Sequence, residues 1–416
     1  MSYPSQARLR EVYGPDCAQA HERLKKLEDR YAEVFGAASD LSFFSSPGRT
    51  ELVGNHTDHN GGRILAASVS MDTVCAAAPS GTKTVTIISE GYPDPVVVDL
   101  TKLSEIQPGT GTTPLVTGIL VAAKAKGWQL GGFNAVVMSE VPAGSGMSSS
   151  ASFETLVCAV LNHLFNSAKK PLEEYALIGQ SAENNFWNKA SGLMDQMACA
   201  VGGTILLDFA DGVAWERVNF TLEDVGMRLV FVNTGKSHAD LSDEYSAIPL
   251  EMRKVAAALG HTQLSETNLN ELLAHMPEVR HKVGCDRAIM RALHFFTECQ
   301  RVDDAAAAVK AGDSERVLTA IRASGSSSWC WLQNAYPTGE KNVQPIPLAL
   351  ALSELYLART GSGRGVCRLH GGGFGGVIMC VLPEDEVEGY VEEMAKTFGR
   401  EHVFPTTIRS AGAVLL

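Results

Sequence analysis

A glycine- and serine-rich stretch that runs straight into a helix constrains this chain more than any other feature. The segment Val141–Glu154 reads Val-Pro-Ala-Gly-Ser-Gly-Met-Ser-Ser-Ser-Ala-Ser-Phe-Glu. A short apolar run, Phe133 to Met138, precedes it, and Phe153, Leu156, Val157, Val160, Leu161 and Leu164 follow at helical spacing. The pattern predicts strand, loop, helix. A helix that begins inside such a loop presents unpaired backbone N–H groups and the positive end of its dipole. Glycines let an anion come close to the backbone, and serine hydroxyls add donors and a candidate Mg²⁺ ligand. Ser148 to Ser150 can also do no more than cap the helix. Three serines and two glycines exceed what a cap requires. The loop is not a Walker A motif, which ends in Gly-Lys-Ser/Thr, because no lysine occurs between Lys126 and Lys169. Bound phosphates would therefore need the helix end, a metal and a cation from elsewhere in the chain.

At 416 residues the chain exceeds one ordinary small core, and two domains are expected, 1–213 and 214–416. A formal net charge of −12 argues against nucleic acid or an anionic membrane as partner. It does not argue against a nucleotide, since a local site can be positive on an acidic protein. The nine cysteines form no Cys-x-x-Cys pair and their number is odd, a pattern of reduced thiols in a cytoplasmic protein. The first residues carry no apolar signal core, and the apolar run Leu115–Ala123 is stopped by Lys124 well short of a membrane span.

Residues 18–35 read as an amphipathic helix and Leu41 to Ser45 as a strand. Met71 to Ala78, Thr84 to Ser89 and Val96 to Leu100 are β-rich and separated by Pro/Gly turns, which predicts a mostly antiparallel sheet. Helices are expected over Thr113–Lys126 and Leu172–Trp187, and strands over Thr204–Phe209 and Arg228–Asn233. From Tyr245 to Ile321 the pattern is mostly helical, with Pro249 and Pro277 as interruptions, and strands return around Gly365–Leu382. Helices and strands mix without a βαβ rhythm, so the class is α+β.

Three further constellations carry chemistry. Ser46–Gly62 packs Arg49, Asn55, His56, Asp58 and His59 between glycines. Fixed donors and acceptors in one turn suit a polyhydroxylated ligand, and a carboxylate such as Asp58 can accept from two neighbouring hydroxyls. A metal at His56, Asp58 and His59 is the alternative, though no other His/Cys cluster completes a shell. Ala182–Met197 holds Asp195 among apolar residues, placed to act as a general base or to orient a hydroxyl. It also holds Glu183, which could reach a metal or simply face solvent. Leu369–Pro383 satisfies G-x-G-x-x-G through Gly371, Gly373 and Gly376, but an apolar strand follows it where a dinucleotide fold needs a helix. A glycine turn between two strands, approaching a ligand or another loop, fits better.

In this order the stretches resemble the GHMP kinase superfamily and, within it, the galactokinases. The resemblance lies in Gly48-Arg49, Gly54, His56-Thr57-Asp58 and Asn60-Gly61, in Gly144 to Ser152, in Gly192-Leu-Met-Asp-Gln196 and in Gly371 to Gly376. It implies a ribosomal-S5-like N-terminal domain and a ferredoxin-like C-terminal domain with extra helices. It further implies ATP and Mg²⁺ in the cleft between them and phosphorylation of D-galactose at the anomeric hydroxyl. By position, Asp195 would be the catalytic base and Arg49 the transition-state stabiliser. Ser150 and Glu183 would ligate Mg²⁺, and Gly144, Ser145, Gly146, Met147, Ser148, Ser149 and Ser150 would wrap the phosphates. Asn55, His56, Thr57, Asp58, Gly192 and Tyr245 would line the sugar.

Three departures stand against that pattern. Asn55 occupies a place where galactokinases usually carry Glu, and an amide donor there would suit a 6-modified sugar such as galacturonate. No tryptophan lies near Thr112–Gly118, where the family often has one beside adenine. The family's Ser-His-x-Ser-Leu pattern is replaced within Ser324–Ala335. The rival readings are a superfamily kinase of another alcohol, such as mevalonate or homoserine, and a non-catalytic sugar and ATP sensor.

Overall fold

The computed structural model describes residues 3–14, 17–142, 146–189, 191–235, 242–360 and 363–416. Gly144 and Ser145 of the expected phosphate loop lie outside the described residues. Twelve strands among the described residues form two sheets. They are β1 (Ser42–Val53), β2 (Arg63–Pro79), β3 (Thr84–Ser89), β4 (Val96–Asp99), β5 (Phe133–Ser139), β6 (Thr204–Asp208), β7 (Ala214–Val218), β8 (Met227–Asn233), β9 (Val366–Leu369), β10 (Val377–Pro383), β11 (Val403–Thr406) and β12 (Val414–Leu415). The first sheet runs β12-β1-β2-β5-β3-β4, with β6 on β2 and β7 on β6, and only the β3–β5 pairing is parallel. The second is antiparallel throughout, in the order β11-β8-β10-β9.

Alternation along the long strands decides which core each face joins. On β2, Val74, Ala76 and Ala78 pack with Leu24, Leu27 and Tyr31 of the helix Cys17–Phe35. Cys75 and Ala77 point the other way, against Ile119, Leu156 and Ile178 of three further helices. On β10, Ile378, Cys380 and Leu382 join Ile346, Ala349 and Tyr390. Val377, Met379 and Val381 join Leu52, Leu65 and Val69 of the first sheet, so one core ties the two sheets together.

Several expectations shift. The first constellation is not one turn: its front half is strand, and β1 runs through Arg49 to Val53. The expected division at 213/214 falls between β6 and β7, which pair with each other, and β12 returns from the C-terminus to the first sheet. Pro249 does not interrupt its helix, Ser242–Ala258, because Ile248, Met252, Val255 and Ala256 pack it into a buried cluster with the helix Asp286–Lys310. Packing there outweighs the missing backbone donor. Pro277 sits in the first turn of Met276–Val283, where that donor is not needed. No helix among the described residues is long and apolar enough to cross a membrane.

Candidate active site

The β1–β2 hairpin delivers the first motif. A register shift between Pro47 and Arg49 bends β1, and such a bulge re-aims the side chain that follows it. Gly48 makes room for the serine loop: a Cβ there would fall 3.1 Å from the Met147 carbonyl oxygen. Arg49, only 5 % exposed, is thereby placed against that loop. Its Nε donates to Asp195 Oδ1 at 2.7 Å and its Nη1 to the Gly146 carbonyl at 2.5 Å. Ser148 donates to the second oxygen of Asp195. The loop, Arg49 and Asp195 therefore meet although up to 146 residues separate them in sequence.

Ser148 precedes the helix Ser149–Asn166 at a left-handed φ of 59° and gives its backbone N–H groups no side-chain cap. That conformation is uncommon for a residue with a Cβ. It turns the hydroxyl toward Asp195 and leaves the helix mouth open for an anion. The capping reading of Ser148 is thus not what the structure adopts.

Burial pushes the Asp195 carboxyl up. The Arg49 guanidinium, Lys189 and the Ser148 hydroxyl outweigh it and hold its pKa down at about 2. The carboxylate is ionised throughout the neutral range.

The residues expected to line the sugar fall into two groups. Asp58 lies over Gly192, where a Cβ would meet Asp58 Oδ2, so a side chain there would have to displace the carboxylate. The Tyr245 ring packs on His56 and His59, centroids 5.0 and 5.9 Å away, and its hydroxyl is 3.3 Å from His59 Nε2. Burial, then Asp58 and Asp195, raises the Tyr245 pKa and keeps the phenol neutral. His56 sits at a left-handed φ of 60°, with Nε2 3.0 Å from the Gly372 carbonyl. Burial, with His59 adding to it, lowers its pKa to about 3, so the ring is neutral. Among the described residues no group of three or more His, Cys, Asp or Glu is arranged to hold a metal, which removes support for a metal at His56, Asp58 and His59.

Asn55 and Thr57 behave differently. Asn55 is 1 % exposed, and its amide is saturated by protein. Nδ2 donates to the Gly371 carbonyl at 2.9 Å and to Glu51 Oε2 at 3.3 Å, while Oδ1 accepts from Asn334 Nδ2 at 2.9 Å and Ser328 Oγ at 3.2 Å. The Thr57 hydroxyl lies 2.9 and 2.7 Å from the Gly54 and Arg63 carbonyls, closing the hairpin turn. The divergent Ser324–Ala335 segment now has a physical account. Ser328 and Asn334 donate to Asn55 Oδ1, Ser327 holds His294, and Ser324 donates to Glu298, whose carboxylate accepts the Gly54 and Asn55 N–H groups. Two departures from the family pattern are one interlocked contact. The glycine turn joins it through the Gly371 and Gly372 carbonyls, and it approaches the phosphate loop at Gly146 as well.

At the helix mouth Ser150 Oγ donates to Glu183 Oε1 at 2.7 Å, and Lys189 Nζ reaches both atoms, at 3.2 and 2.6 Å. Burial works against the Lys189 ammonium, but Glu183, with Asp195 further off, outweighs it and keeps it charged. Gln196 Nε2 bridges Glu183 and Glu154 at 3.1 Å each. Two hard oxygen donors that already attract a cation fit Mg²⁺, which takes one or two protein oxygens together with phosphate oxygens. Lys189 and Glu51 carry no expectation from the sequence, and Gln196 carries none beyond its place in the Gly192–Gln196 motif. Lys189 stood inside the second motif, and its positive charge beside Glu183 and Asp195 was the available signal.

The mixed fold of two sheets is that of a GHMP kinase. A family profile described as "GHMP kinases N terminal domain" matches residues 115–203, and one described as "Galactokinase galactose-binding signature" matches residues 29–79. A galactokinase of Lactococcus lactis subsp. lactis is 30 % identical over 92 % of this chain and 94 % of its own length. The human galactokinase is 30 % identical over 96 % of this chain and 98 % of its own length. The crystal structure of Lactococcus lactis galactokinase complexed with galactose superposes with a TM-score of 0.82 at 28 % identity, covering 95 % of this chain and all of that one. The chain belongs to the galactokinase family, and it is an enzyme.

Proposed function

We propose that the protein transfers the γ-phosphoryl group of ATP to the anomeric hydroxyl of D-galactose, giving α-D-galactose 1-phosphate and ADP. The sugar oxygen bonds to phosphorus, the bond from phosphorus to the bridging oxygen breaks, and ADP departs with that electron pair. The hydroxyl proton passes to Asp195. A carboxylate with a pKa of about 2 is a weak base, so it accepts the proton late, once bonding to phosphorus has acidified the sugar oxygen. Arg49 keeps Asp195 ionised and, being permanently cationic, offsets charge on the transferring group. The phosphates would rest on the open end of the helix Ser149–Asn166, within the loop Gly144–Ser150. Ser150 and Glu183 would hold Mg²⁺, which when bound supplies neutralisation of phosphate charge. His56, Asp58, Gly192 and Tyr245 would line the sugar, with Asp58 accepting from neighbouring hydroxyls. The ligands would lie between two lobes divided at 219–226, between β7 and β8. Sugar and nucleotide would be drawn from the cytoplasm.

The observation that carries this reading is the contact of Arg49 and Asp195 with Ser148 and Gly146 at the helix mouth. Asn55 and Thr57 enter it as supports of the turn rather than as sugar ligands. The 6-carboxylate alternative needed a free amide donor at Asn55, and both of that amide's N–H groups are engaged. The test is sugar-dependent ADP release from the purified protein across galactose, talose, arabinose, 2-amino sugars and galacturonate, with ³¹P NMR of the product. Turnover with galactose and a phosphate on its anomeric carbon is expected. Binding of both ligands without turnover, or preference for galacturonate, would sink the proposal.

A further inference from the structure

The second motif carries a charge that the reaction above does not employ. Lys189 Nζ, Glu183 Oε1 and Ser150 Oγ form a closed triangle with sides of 2.6, 3.2 and 2.7 Å. The Lys189 N–H donates to the Glu183 carbonyl at 3.1 Å, which fixes the start of the side chain against the end of the helix Leu172–Phe186. The Glu183 side chain is 1 % exposed and that of Lys189 45 %, so the carboxylate is buried and the ammonium sits on its open side. The Trp187 ring lies with its centroid 5.5 Å from Nζ and adds a second attractive surface.

Magnesium binds oxygens at about 2.0–2.1 Å in octahedral geometry. An ammonium in contact with both oxygens occupies the space such an ion would need. We propose that Lys189 is a tethered counter-cation that holds the Ser150–Glu183 pair in the nucleotide-free enzyme and must be displaced before a divalent cation enters. This rests on the assignment of Ser150 and Glu183 to the metal. The lysine stem is flexible and its charge readily rehydrates, so displacement needs no backbone movement. Free metal has to compete with the ammonium. Metal arriving with a nucleotide does not meet the same opposition, because the phosphates offer the displaced ammonium a new partner. Metal uptake is thereby coupled to nucleotide binding.

Mn²⁺ titrations followed by EPR of the free ion, with and without ADP, test this on wild type, Lys189→Met and Lys189→Arg. Lys189→Met keeps the stem and removes the charge. Without nucleotide its Mn²⁺ affinity should rise by roughly two- to fivefold, the equivalent of releasing one partly exposed ion pair. Lys189→Arg should show no such rise, and with ADP present the gain should shrink. Lys189→Gln serves in the same comparison if the methionine variant does not fold. Unchanged Mn²⁺ affinity in the nucleotide-free, charge-neutral variant overturns the proposal. If the wild-type ADP complex takes up no Mn²⁺, or Glu183→Gln leaves uptake unaltered, the metal assignment itself falls and the competition falls with it.

Discussion

Arg49 and Asn55 stand on one hairpin, six residues apart in a single motif, and do opposite things. Around Asn55 every polar valence is closed: its amide makes four contacts, to Glu51, Gly371, Ser328 and Asn334. Around Arg49 the valences are closed only in part. Asp195 retains 28 % of its side-chain exposure, and the neighbouring helix end has no side-chain cap. A closed network specifies the packing of β1 against the C-terminal helices. An open one leaves charge available to a ligand. Membership of a motif does not distinguish the two; the exposure left to Asp195 and denied to Asn55 does.

The largest expected effect falls on the open side. Asp195→Asn keeps the shape and the Ser148 and Arg49 neighbours but removes the base, so kcat should fall by roughly 10²–10⁴-fold. The galactose KM should move far less, and steady-state ADP release gives both constants. Equal losses in kcat and affinity would make Asp195 a binding group and erase the contrast.

On the closed side the order reverses. Asn55→Ala strands Ser328, Asn334 and the Gly371 carbonyl in a buried space, and urea unfolding should show a loss of about 2–4 kcal/mol. Turnover of the folded fraction should stay close to wild type. A variant of full stability with altered sugar preference would return Asn55 to the sugar.

His56 sharpens the comparison through pH. Its folded pKa of about 3 lies below the ordinary 6.5. As pH falls below 6.5 the unfolded chain takes up a proton that the folded one refuses. Stability present above that pH is therefore lost on acidification, by up to about 1.4 kcal/mol per pH unit. Asn tolerates a left-handed backbone, so His56→Asn should keep the turn and flatten the pH dependence of unfolding between about pH 6 and 4. An unchanged slope would mean that the native ring is solvated.

The smallest effect belongs to Glu154. Burial, reinforced by Glu183, raises its pKa well above the ordinary carboxylate value and favours the neutral acid. Glu154→Gln should then cost less than about 1 kcal/mol and leave turnover intact. A large loss in either would show that the carboxylate form matters.

Local patterns were legible where a local rule governs them. The β-rich stretch Met71–Ala78, the apolar run after the glycine turn and the helical spacing after Phe153 appear as strand, strand and helix, although β2 starts earlier, at Arg63. The extent of β1 was not legible, because a strand buried on both faces carries polar residues such as Glu51 and Arg49 only when distant partners satisfy them. Pro249 misled for a related reason: a local breaker yielded to packing by residues far along the chain.

By itself the sequence determined the class of fold and the run of serines at the start of a helix, since residue chemistry and short-range periodicity are enough for those; the pairing of Arg49 with Asp195 was implied only by the family resemblance. Only the tertiary structure decided that Asn55 is spent on Ser328 and Asn334 and that Lys189 occupies the Ser150–Glu183 corner. Hydrogen-bond valence and cation competition are settled between atoms brought together by the packing of two sheets, and no spacing along the chain encodes those distances.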